Sequence, residues 1–198
     1  YTTTNSAFGV TGTTTLAGAT TVTTGSGPIT FTGTVNGAQT LTANSTGATL
    51  FSAIVGGSTP LTSLTTNAGG TTAINGGAVT TTGVQTYNDA LTLGQNTSLT
   101  TTNSAVSLAG GVTGGTRNLT ITTGTGNITG ATVATVGTLD LNGSGTDAFS
   151  GSVDVSTLDL AGKTGGSTAL NGNLTAATLT TGTGAYDLRL AGPVTTIT

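Results

Sequence analysis

The chain has 198 residues, only 5% of them charged, and a formal net charge of −3. Three basic residues cannot neutralise a phosphate backbone, which excludes nucleic acid as a partner, and the absence of Cys excludes a disulfide scaffold. Thr makes up roughly a quarter of the residues and Gly numbers 34, which excludes a helical fold, while regularly placed Leu, Val and Ile with so little net charge argue against disorder.

Read from the N-terminus, the chain is a succession of short strands and Gly-rich corners. Branched Thr, Val and Ile fit a pleated surface, and Gly and Asn supply the corners. Val22-Thr23-Thr24-Gly25-Ser26-Gly27-Pro28-Ile29 sets a pattern that returns as Ile121-Thr122-Thr123-Gly124-Thr125-Gly126-Asn127-Ile128 and as Leu179-Thr180-Thr181-Gly182-Thr183-Gly184-Ala185-Tyr186. The copies lie about five and three multiples of a unit near 19 or 20 residues apart, the mark of a solenoid. Ile29 to Gly37 aligns in addition with Val106 to Gly114. Asn-Gly pairs at Asn36-Gly37, Asn75-Gly76, Asn142-Gly143 and Asn171-Gly172 predict tight turns.

From the middle of the chain onward Val79, Leu99, Leu119, Leu139, Leu158 and Leu179 recur at intervals of about 20. Several open an alternating pair, such as Leu119-Thr120-Ile121, Leu139-Asp140-Leu141 and Leu158-Asp159-Leu160, which puts the aliphatics on one face and Thr or Asp on the other. A second set lies half a unit away: Val106-Ser107-Leu108, Ile128, Phe149, Leu170 and Leu188-Arg189-Leu190. The prediction is an all-β parallel β-helix (β-solenoid) in which stacked coils of about 20 residues, roughly ten of them, bury one continuous core. It forms a single segment over residues 1–198 with no internal boundary, because the Gly-rich texture never breaks. An antiparallel sandwich competes, but it needs no constant 20-residue unit. Residues 194–198 read as a strand whose unpaired edge invites self-association with another copy or with adjoining repeats. A start at Tyr1 rather than Met is the mark of a mature product or a piece of something longer, and no run of residues is apolar enough for a membrane span.

Val35 to Thr42, Leu61 to Gly70 and Val79 to Tyr87 carry a resemblance to the repeats of filamentous-haemagglutinin-like and autotransporter-type bacterial surface adhesins. The resemblance covers most of the chain and rests on repeat style, not on a binding motif. It implies a right-handed parallel β-helix, export to the extracellular bacterial cell surface, and a role as stalk, fibre or adhesive surface, with host or environmental surfaces and glycans as partners.

Chemistry is sparse. Asp140, Asp147, Asp154, Asp159 and Asp187 are the carboxylates to consider, with Arg117 and Arg189 as anion partners. Asp140 and Asp159, one unit apart, should stack about 5 Å from each other on an outward face, where they would serve glycoside chemistry or hold Ca²⁺. The bland alternative, two solvated carboxylates on a rod, is preferred, since no His or Glu exists to share proton transfer. Gly143 to Asp147 resembles one degenerate copy of a Gly-rich calcium repeat. Thr120-Ile121-Thr122 and Thr21-Val22-Thr23 have the outward Thr-x-Thr form of ice-binding solenoids, although Asp140 and Asp159 interrupt the Thr120 row. Asn44, Asn96, Asn118, Asn127, Asn142 and Asn173 open Asn-x-Ser/Thr glycosylation acceptors that a chain of this composition produces by chance. Tyr87, Tyr186, Phe8, Phe31, Phe51 and Phe149 read as core or stacked corner residues. No catalytic, cofactor-binding or metal site is assigned. The expected function is a non-enzymatic structural segment of a secreted bacterial surface fibre or adhesin stalk. The alternatives are an ice-binding solenoid and a polysaccharide-binding or cleaving β-helix.

Overall fold

Apolar-x-apolar segments of three or four residues, broken by Gly corners, make the chain turn every few residues. In the computed structural model, which describes residues 1–195, each turn carries it from one face of a three-sided coil to the next. The first face holds Phe8–Val10, Ile29–Phe31, Ala48–Phe51, Thr71–Ile74, Ala90–Leu93 and Val112–Thr113. The second holds Thr14–Thr15, Val35–Asn36, Ala78–Thr80, Thr97–Thr100 and Leu119–Thr122. The third holds Thr20–Gly25, Thr40–Ser45, Ser63–Thr66, Gln85–Tyr87, Val106–Leu108, Ile128–Gly130, Thr146–Phe149, Ser167–Leu170 and Asp187–Leu190. Every ladder between successive coils is parallel, as in Phe8 on Ile29, Val112 on Val133 and Asp147 on Thr168.

Late in the chain the corner between the first two faces straightens. Val133–Asn142, Val153–Leu160 and Leu174–Thr181 run across both, joining them, with Val194–Thr195, into one sheet of 13 strands among the described residues; Thr14–Thr15 and Val35–Asn36 pair as a separate two-stranded sheet, and the third face is a sheet of nine. A register shift between Val133 and Val136, with Thr135 at φ 54°, lets the first of these strands bend instead of break.

The molecule is therefore a β-solenoid of about nine coils of about 21 residues. Individual coils vary, from 19 residues between Thr71 and Ala90 to 24 between Val55 and Val79. Extra residues collect in corners, so the count falls short of the expected ten. Three sequence expectations shift with that variation. Leu99 stacks on Ile121 and not on Leu119, because this coil holds 22 residues; a slip of two keeps the same side chains inward. Val22 lies on the third face whereas Ile121 and Leu179 lie on the second, and Ile29 and Val106 likewise lie on different faces. The repeated motifs mark a corner design used on more than one face. Finally, Val194–Thr195 pairs with Leu174–Thr175 as a strand should, while residues 196–198 of the expected strand lie outside the described residues.

That corner design can be read atom by atom. In Thr24-Gly25-Ser26-Gly27 the buried Thr24 Oγ1 donates to the Gly27 carbonyl at 2.5 Å and the Gly27 N–H returns to the Thr24 carbonyl at 3.0 Å. Thr123-Gly124-Thr125-Gly126 repeats both bonds at 2.7 and 3.0 Å. Gly25 and Gly124 sit at φ 60° and 61°, where a side chain would be strained. The hydroxyl thus satisfies a carbonyl that the turn takes out of the ladder.

Inside the coils Leu, Val and Ile from the three faces form one continuous core, with Leu41, Leu64, Ile74, Leu99, Leu119 and Leu139 fully buried. At the N-terminal end the aromatics stack along the axis, Tyr1 on Phe8, Phe8 on Phe31, and Phe31 on Phe51 with rings 5.5 Å apart and nearly parallel. Phe149 is buried further along and Tyr186 half-buried.

Candidate functional site

The outward carboxylates do not converge. Asp154 is exposed on the first face, Asp140 and Asp159 are half-buried on the second, and Asp187 is exposed on the third. Asp140 and Asp159 are register partners in a row that runs Ser98, Thr120, Asp140, Asp159, Thr180. Each is occupied locally: Asp140 Oδ1 accepts from Asn142 Nδ2 and Asp159 Oδ1 from the Ala161 N–H, both at 2.9 Å. Arg117 Nε donates to the Gly94 carbonyl at 3.3 Å, and Arg189 stands outward on the third face beside Ala169. Among the described residues no three acidic or other metal-ligating side chains gather, and no helix is long and apolar enough to cross a membrane.

The Thr rows differ in length. The Thr120 row is broken by the two aspartates. The row through Thr21 continues as Thr42, Thr65, Thr86, Ser107 and Thr129, a single file of hydroxyls over six coils of the third face. Its neighbouring row passes from Thr23 to Asn44 at once. A shallow groove of about 270 Å³ on the second face is lined by Gly77, Asn96, Thr97, Ser98, Asn118 and Thr120. There, as at other corners, Asn side chains join coils. Asn96 Oδ1 accepts the Asn118 N–H at 3.0 Å, Asn118 Oδ1 the Thr138 N–H at 2.9 Å, and Asn127 Oδ1 the Thr146 N–H at 2.9 Å. Three of the six acceptor asparagines are thereby parts of corners.

The polar groups with the most unusual surroundings lie inside the rod, and here the sequence reading needs correction. Asp147, grouped above with outward acids and a calcium repeat, points into the core and is fully buried. Its Oδ2 lies 2.7 Å from Nζ of Lys163, which is 1% exposed, and also accepts from Thr168 Oγ1 at 3.3 Å. Its Oδ1 accepts the Ile128 N–H at 3.2 Å, and Lys163 Nζ donates further to the Gly145 carbonyl at 2.9 Å. Burial raises the Asp147 carboxyl above the usual range, against the opposing pull of Lys163 and the hydrogen bonds from Ile128 and Thr168.

Asp89 is a second buried carboxyl. Its Oδ1 accepts the Gly70 N–H at 2.8 Å and its Oδ2 the Thr72 hydroxyl at 3.1 Å, and burial raises it too. Two residues before it Tyr87, fully buried, donates its hydroxyl to Gln85 Oε1 at 2.9 Å, and desolvation pushes that phenol far up. Asp89 escaped the sequence reading, but a signal was present. Gln85, Tyr87, Asp89, Leu91 and Leu93 alternate without interruption, which places Asp89 on the core side, and Asp147 shares parity with Phe149 in the same way.

These observations define a β-solenoid repeat protein with an apolar core, two internal carboxyls and acids dispersed over its faces. Compared with protein-family models, curated proteins and solved structures, the chain matches none.

Proposed function

We propose that this chain is a non-enzymatic structural segment of a secreted bacterial surface fibre or adhesin stalk, acting as a stiff rod. The observation that carries the reading is unbroken coil-on-coil pairing from Phe8 to Val194 around one shared core. Load along such an axis is borne by every backbone ladder and by the Asn and Thr contacts at the corners, and the scarcity of charge removes repulsion between neighbouring rods. Leu190 and Val194, both on the last described coil, remain 37% and 43% exposed. They offer apolar surface to a further coil, whether an adjoining repeat or another copy. Antibody raised to the chain should label intact cells of its source, and electron microscopy of the native material should reveal filaments. Labelling only after permeabilisation would overturn the surface assignment, and discrete rods of about 40 Å (nine coils at the strand spacing) would overturn the fibre.

A second reading, an ice-binding solenoid, is favoured by the hydroxyl file from Thr21 to Thr129. Thermal hysteresis that disappears in Thr65→Lys would establish it; no hysteresis at millimolar protein would dismiss it.

A further inference from the structure

A lysine ammonium and a carboxylate are costly to hold in a dry core. Lys163 and Asp147 sit in successive coils: Lys163 bridges to Gly143, and Asp147 follows that glycine by four residues. Their side chains are 1% and 0% exposed and touch at 2.7 Å. We propose that the two side chains become joined as an intramolecular amide, a covalent isopeptide fastening between neighbouring coils.

The surroundings supply what such a step requires. The first step is proton transfer from the Lys163 ammonium to the Asp147 carboxylate, which leaves an amine beside a carboxylic acid. Burial already raises the Asp147 carboxyl. The Nζ lone pair then attacks Cγ. Charge developing on Oδ1 meets the Ile128 N–H, which bonds to that oxygen in the resting structure. Collapse of the tetrahedral carbon breaks the Cγ–Oδ2 bond. Oδ2 leaves as water with two protons, its own and one shed by the nitrogen, and the Thr168 hydroxyl on Oδ2 is placed to relay the second. One C–N bond forms, one C–O bond breaks, one water is lost, and no oxidant or cofactor enters. Fixed contact replaces the bimolecular encounter that amide formation requires in solution. The remaining amide N–H keeps the Gly145 carbonyl, now accepting from Lys163 Nζ, as its partner. In a rod loaded along its axis the bond stops these two coils from peeling apart, whatever surface displays the rod.

The test is the mass of the purified, denatured wild-type protein, followed by trypsin. Cleavage after Arg117, Lys163 and Arg189 ordinarily yields fragments 118–163 and 164–189. An acylated Lys163 is not cut, so the expected result is a whole chain lighter by one water and a single fragment 118–189 carrying that loss. A full-length mass equal to the sequence, with both smaller fragments at their unmodified masses, overturns the proposal and leaves an ordinary ion pair. A missing water accompanied by normal cleavage after Lys163 also overturns it, since that pattern belongs to an aspartyl succinimide. Lys163→Arg, which keeps the charge but cannot form this amide, should restore the sequence mass.

Discussion

At the scale of the residue, parity decides which polar groups matter. Thr146-Asp147-Ala148-Phe149 alternates inward and outward, so one step along the chain separates a solvated acid from one enclosed with Phe149 and Leu170. Composition could not see this, because a lone Asp in a Thr-rich strand defaults to the water side, and only the neighbour two residues on betrays it. Lys163 was harder still to place: it lies in a corner, where no alternation runs, and its role depends on a partner 16 residues away. Asp89 carries a prediction about pH. A carboxyl raised by burial holds its proton in the folded chain at a pH where the unfolded chain has released it. It therefore supports folding below about 4 and costs stability as pH rises through its raised value. Asp89→Asn keeps an oxygen for the Gly70 N–H and carries no charge, so the variant should be more stable than the parent at pH 7, with the gap closing toward pH 4. Urea denaturation at both pH values checks this; a gap of equal size at each would show that Asp89 does not titrate as argued. Gly130 gives a steric counterpart. A Cβ there would lie 2.5 Å from the Phe149 ring, so Gly130→Ala should cost about 1–3 kcal/mol, and Phe149→Leu should recover part of that loss. An undiminished loss in the double variant would mean that the ring is not the obstacle.

At the scale of the element, strands and corners were the legible part of the sequence, and the assignment of strands to faces was not. Leu119-Thr120-Ile121 announces a strand by its alternation, yet nothing local says whether it belongs to the first, second or third face, since each uses the same apolar-Thr-apolar wording. For that reason the Thr-Thr-Gly-x-Gly motif returned at apparent multiples of a coil while occupying different faces. What the motif does encode is a corner closed by a buried hydroxyl. Thr123→Val preserves shape and removes the Oγ1 bond to Gly126, so it should destabilise by about 1 kcal/mol, a net hydrogen bond's worth. Thr122→Val, on the outward side of the strand that leads into this corner, should fall within about 0.5 kcal/mol of the parent. Similar losses for the two in guanidinium titrations would mean that the corner bond contributes nothing of its own.

At the scale of the whole molecule, each coil touches only the coils on either side, which makes length a free variable and register a strict one. Removing residues 107–128 takes out one complete turn of 22 residues and joins Val106 to Thr129. Val106 then takes the place of Ile128 over Asp147, Leu91 meets Val133 and Leu99 meets Leu141, so on each of the three faces an inward apolar side chain stands where an apolar one stood before. The shortened chain should fold with unchanged strand content and cooperative unfolding, and X-ray scattering should find it shorter by about 5 Å, one strand spacing. Removing only residues 107–117 joins Val106 to Asn118, which leaves out the first face of that coil and sets third-face residues directly before Leu119. The coil cannot close: the ladder from Leu91 through Val112 to Val133 loses its middle strand while the chain around it stays, and the core opens to water at that level. This second variant should aggregate or unfold without a cooperative transition. If both deletions behaved alike, either both folded or both lost, the coil would not be the unit of stability, and a rod built by adding whole coils would have to be given up.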